Sequence, residues 1–130
     1  MTSTLTADQA TELARSFLEG ADAIDRRTVD EWTALDLATR GNLMTLAQRM
    51  RAQSAEVANV AVGMVLDDAG DAFGQIASAT RAGKAALETI RSINRIIAIA
   101  AALVRLGAAV ATKNLGESLN AAGALFGEIA

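Results

Sequence analysis

The stretch TADQATELARSFLEGADAIDRR, residues 6–27, decides the fold class. Thr6-Ala7-Asp8-Gln9 has the form of a capping box: the Thr6 hydroxyl can accept from an early helical N–H while the Gln9 side chain reaches back. Asp8 and Glu12 stand where the positive end of a helix dipole favours acids. Ala10, Leu13, Ala14, Phe17, Leu18, Ala21 and Ile24 follow at helical spacing and make one apolar face. Arg15–Glu19 and Asp22–Arg26 sit four residues apart on the other side. The spacing predicts a helix over about residues 7–26.

Downstream, Thr28-Val29-Asp30-Glu31 repeats the capping-box form and predicts a second helix over about 29–66, joined to the first by a tight turn. Trp32, Leu35 and Ala38 begin its apolar face. A heptad-like series then runs Leu43, Leu46, Met50, Gln53, Val57, Val60, Met64. The two series are out of phase, and the slip predicts a kink near Gly41. Asp67, Asp68 and Gly70 read as the end of this helix and Asp71 as the cap of the next. A third helix is expected over about 72–113, with Phe73, Ile76, Leu87, Ile90, Ile97 and Val104 on one face. Its second half, with Ile96, Ile99, Leu103, Leu106 and Val110, is apolar over most of its circumference. A short helix over about 117–129 closes the chain. The expected fold is one all-α domain, residues 1–130: an antiparallel bundle of three long helices plus a short C-terminal one, helix 2 kinked near Gly41.

Composition narrows the chemistry. The chain has no proline, cysteine, histidine or tyrosine, and 30 of its 130 residues are alanine. Without proline, long helices run uninterrupted; with so much alanine, they approach closely. Without cysteine there are no disulfides or thiolate metal sites. Without histidine, cysteine and tyrosine, the common proton-transfer and nucleophile groups are missing. No motif nominates a catalytic, cofactor-binding or metal-ligating residue, and a non-enzymatic protein is expected.

Charge is segregated. Residues 1–36 carry eight acids and three bases, whereas residues 81–113 carry six bases and Glu88 alone. The pattern predicts that the acidic first helix meets the basic stripe Arg81, Lys84, Arg91, Arg95. A net charge of −3, with no aromatic among those bases, disfavours nucleic acid. The first residues lack a basic segment followed by an apolar run, so the expected location is the cytoplasm, or outside by a route without a cleaved signal.

Length sets the functional expectation. A 40-residue third helix spans about 60 Å, but the first covers only about 30 Å. The helix 2–helix 3 hairpin would project bare, and a homo-oligomer is expected to cover Leu46, Met50, Val57, Val60, Met64, Phe73, Ile76 and Leu87. The alternative is a membrane-active protein. Its contact residues would be Ile96, Ile99, Leu103, Leu106 and Val110, with Asp67, Asp68 and Asp71 as a pH-sensing tip. Arg105 inside that run disfavours a permanent span. A third reading is a small inhibitor or immunity-type partner presenting the acidic face of helix 1 to another protein.

Overall fold

The computed structural model describes residues 3–66 and 72–130. They form five helices: α1 (Ala7–Asp30), α2 (Leu37–Val60), α3 (Ala72–Thr89), α4 (Ile93–Ala111) and α5 (Leu115–Ile129). A two-residue antiparallel pairing of β1 (Ser3–Thr4) with β2 (Val65–Leu66) is the only extended structure among the described residues. Flanking it, the Leu5 N–H donates to the Met64 carbonyl at 2.8 Å and the Gly63 N–H to the Leu5 carbonyl at 2.9 Å. Leu5 is thereby held in the core.

The capping box forms as its residues dictate. The Thr6 hydroxyl accepts from the Gln9 N–H at 3.1 Å, and the Gln9 side-chain carbonyl accepts from the Thr6 N–H at 3.0 Å. The helix that follows is longer than expected. Thr28 is no cap: it is buried, and its hydroxyl donates to the Ile24 carbonyl at 2.8 Å, inside α1. The break falls at 31–36, a 3-10 turn (Trp32–Ala34) that ends at Leu35. Asp36 then caps α2, accepting from the Thr39 N–H at 2.7 Å. The phase slip in the sequence is therefore real but lies upstream of Gly41. Gly41 sits within α2, and no kink is needed there.

The second correction is larger. The expected helix over 72–113 is two helices, broken at residues 90–92, where Ser92 caps α4 by accepting from the Arg95 N–H. Three long helices plus a short one become five, of 24, 24, 18, 19 and 15 residues. Helix lengths of about 22–36 Å now match well enough to cover one another. α4 ends in a Schellman turn: the Lys113 N–H donates to the Val110 carbonyl and the Asn114 N–H to the Ala109 carbonyl. Lys113 takes the left-handed conformation this needs, with φ at 61°. Asn114 caps α5 at once, accepting from the Glu117 N–H at 2.9 Å, so α5 starts two residues before the expected 117.

α1 packs chiefly on α2 and α3, α2 also on α4, and α5 on α3 and α4. Pairings between α1 and α2 run in opposite order, Ala14 to Ser54 and Asp22 to Arg51. Those between α1 and α3 rise together, Glu12 to Arg81 and Glu19 to Lys84. Phe17, Met50, Ile76, Leu87, Ile99 and Leu103 fill the centre. Gly107 lets Gln53 lie against α4 and donate its amide N–H to the Val104 carbonyl at 2.7 Å.

Candidate interaction surface

The residues expected to join two subunits are mostly spent inside one. Met50, Val57, Ile76 and Leu87 have no exposed surface, Met64 has 1% and Leu46 has 7%. Phe73 is half-buried against the same core. Of the eight, Val60 alone is well exposed, at 42%. The bare hairpin does not form, because the break at 90–92 lets α4 and α5 fold back over it. The residues proposed for membrane contact, Ile96, Ile99, Leu103, Leu106 and Val110, are likewise turned into the core. The proposed pH-sensing tip, Asp67, Asp68 and Asp71, lies outside the described residues.

The segregated charges meet within the chain. Arg81 pairs with Glu12 at 3.3 Å and Lys84 with Glu19 at 2.5 Å, both between α3 and α1. Arg51 of α2 bridges Asp22 at 2.8 Å and Asp25 at 2.5 Å. The hydrogen bond to Glu19 holds the Lys84 ammonium above the usual lysine range, and those to Asp22 and Asp25 raise Arg51 further. The acidic face of helix 1 is thus largely used for internal register. Among the described residues no group of three or more acidic side chains stands together as a metal site.

Two surface features remain. The first is the α1–α2 connection. Val29 is 72% exposed, Trp32 43% and Leu37 82%, all within nine residues of chain. The Arg40 guanidinium lies 4.2 Å from the centre of the Trp32 ring and donates to the Trp32 carbonyl. The indole is therefore held in place while one part of it faces water. Asp30, Glu31 and Asp36 flank this apolar group. The Thr39 hydroxyl and N–H hold the Asp36 carboxyl below the usual aspartate range, so it stays charged. Helical periodicity places Trp32 and Leu35 together on the inward face; Leu35 is buried as expected, but the 3-10 turn rotates Trp32 out.

The second feature is a groove of about 410 Å³ between the end of α3, the start of α4 and the end of α5. Ala82, Ala85, Ala86, Ile90 and Ile129 line it, and Arg95 stands on its wall. The alanines make it hollow: small side chains on α3 leave space that leucine would fill. Arg95 is fixed by donating to the Ile129 carbonyl at 2.9 Å. No single residue in the sequence signals this groove, because it depends on the α3–α4 break. Gly123 and Gly127, four residues apart on α5, have nothing within 4 Å of where a Cβ would stand.

Comparison with protein-family models, curated proteins and solved structures finds no match to this chain.

Proposed function

We propose that this chain is a non-enzymatic interaction module, a helical bundle that self-associates through its α1–α2 connection rather than through the α2–α3 hairpin. The observation that carries the reading is the exposure of Val29, Trp32 and Leu37 side by side in sequence. A connection between two helices is ordinarily polar, and an exposed tryptophan with an arginine stacked on it has the composition of an interface centre. Glu12, Glu19, Asp22 and Asp25, the acids clustered on α1, are engaged with Arg81, Lys84 and Arg51 of neighbouring helices. Mass in solution tests the reading. The wild type is expected well above its 13.4 kDa monomer mass, and Leu37→Asp at the monomer mass. Leu37 is too exposed for that change to disturb folding. A wild type that stays monomeric across a wide concentration series refutes it.

A second reading rests on α4. Ile93–Ala111 is the one helix among the described residues long and apolar enough to cross a membrane, and only 44% of its apolar window is buried. Opening the bundle would present Ile96, Ile99, Leu103, Leu106 and Val110 to lipid. This reading predicts dye release from anionic vesicles, stronger in mild acid; an intact dye load with folded protein removes it. The inhibitor reading loses its main support, since Glu12, Glu19, Asp22 and Asp25 already hold partners in the chain.

A further inference from the structure

At the 90–92 joint the local pattern argues against the fold the chain adopts. Ile90, Ile93 and Ile97 keep helical spacing across it, and Leu87-Glu88-Thr89-Ile90-Arg91-Ser92-Ile93 holds neither proline nor glycine. Nothing in the covalent chain stops α3 from running on into α4. What stops it comes from another helix. Arg27, in the last turn of α1, donates to the Glu88 carbonyl at 3.4 Å and to the Ile90 carbonyl at 2.5 Å. An unbroken helix needs those same carbonyls for the N–H groups of Ser92 and Asn94. The Ser92 side chain adds a cap for α4. Beyond the joint, α4 and α5 pack on each other, α4 on α2 and α5 on α3, while the contacts of α4 with α3 are few.

We infer that the 90–92 joint is a hinge latched by Arg27, and that on its release α3 and α4 join into one helix, so that α4–α5 docks on α1–α3 of a second copy of this chain. Each contact that α4–α5 makes with the rest of its own chain is then remade with the other copy, including Gln53 to the Val104 carbonyl and Phe17 against Gly107. The exchange is mutual, so the assembly closes as a two-fold dimer. A joint this short favours it, because straightening three residues carries the whole α4–α5 unit away from its own chain. The joined helix gains backbone pairs that the break forgoes and loses the Arg27 bonds and the Ser92 cap. Release requires α4–α5 to leave the bundle, so the exchanged dimer forms through partial unfolding and then persists. It does not depend on association through Val29, Trp32 and Leu37.

Leu37→Asp supplies the background for the test, since it removes the surface association. Held at high concentration near its urea midpoint and returned to buffer, this variant is expected to divide into monomer and dimer by light scattering; never exposed to urea, it stays monomeric. Gln53→Cys together with Gly107→Cys, in a chain with no cysteine of its own, reports which copy supplies α4. After oxidation the monomer should carry its bridge within one chain, and the dimer should survive a denaturing, non-reducing gel. Ser92 has φ at −67°, which suits proline, but proline in the joined helix lacks the N–H that the Glu88 carbonyl needs. Ser92→Pro should therefore abolish the dimer and keep the monomer's helical spectrum. Arg91→Gly, exposed in the joint, should reduce the dimer by at least about tenfold, because both copies bear the helix penalty. Arg27→Met, which removes the latch, should raise the dimer fraction. No dimer after urea, a dimer bridged within each chain, or a dimer undiminished by Ser92→Pro and Arg91→Gly overturns the hinge and leaves the surface association standing.

Discussion

Gly107→Ala probes the α2–α4 contact more sharply than any large-to-small change. An ideal Cβ at Gly107 would lie 2.5 Å from the Gln53 side-chain oxygen, 3.0 Å from its amide carbon and 3.3 Å from Cε1 of Phe17. Alanine in a helix interior is worth about 1 kcal/mol over glycine, so on propensity alone the variant is stabilised. Against that, Gln53 must move. It is held by its 2.7 Å bond to the Val104 carbonyl, whose loss costs about 1 kcal/mol. Its oxygen already lacks a partner, so no alternative bond anchors it nearby. Overpacking beside Phe17 adds about 1–3 kcal/mol. The net expectation is a loss of about 1–3 kcal/mol by urea denaturation. Gly123→Ala, with nothing within 4 Å of its Cβ, isolates the propensity term and should gain up to about 1 kcal/mol. In a Gln53→Ala background most of the Gly107→Ala penalty should vanish, because the flexible obstacle is gone and only the Phe17 contact remains. If Gly107→Ala stabilises the wild type as Gly123→Ala does, α4 does not face Gln53 and the packing described here is wrong.

Other outcomes follow from the same packing. Lys113→Gly should stabilise the protein by about 1 kcal/mol or less, since the left-handed residue of the α4 cap then carries no Cβ; thermal melting checks it. Lys84 is raised by its hydrogen bond to Glu19, so the stability it lends is complete below the ordinary lysine pKa and is lost as pH climbs through the raised one. The alkaline fall in unfolding free energy, read by urea denaturation, should therefore be shallower in Glu19→Gln, by no more than about 1 kcal/mol for so exposed a pair. Val60→Asp should change stability by less than about 0.5 kcal/mol and leave the mass of the assembly unaltered, whereas Val57→Asp, wholly buried three residues earlier, should unfold the chain. A dimer split by Val60→Asp would return the interface to the α2–α3 hairpin.

The start of α1 was readable because a cap and an unambiguous face agree there. Its end was not: Thr28 suits a cap or a helix interior equally, and what decides is whether its hydroxyl finds a carbonyl one turn back. The phase slip after Ala38 was visible, but glycine is a louder signal than Asp36, so the break was placed at the wrong residue. The cut at 90–92 hid for a different reason. Ile90, Ile93 and Ile97 keep helical spacing straight across Ser92, so no loss of period marks the join. From that one join came the error over the interface. A helix of twice the proper length left Met50, Val57 and Ile76 without cover; a turn supplies it from α4 and α5. The exposed Trp32 was illegible, since its spacing with Leu35 and Ala38 assigns it inward and only the 3-10 turn says otherwise; Leu37 stands off that face in the sequence already.

The order in which the helices meet bears on how the chain acquires its shape. α1 with α2, and α4 with α5, are neighbours in sequence and can pair by closing short loops. The α1–α3 matches instead join residues 69 and 65 apart, Arg81 to Glu12 and Lys84 to Glu19. Such distant closures cost more chain entropy before they return any contact energy. The protein should thus collapse first as two hairpins, with α3 docking last between them, and should refold more slowly than an up-and-down bundle of the same size. Mutations along the α1–α3 seam would then speed unfolding while leaving the refolding rate nearly untouched.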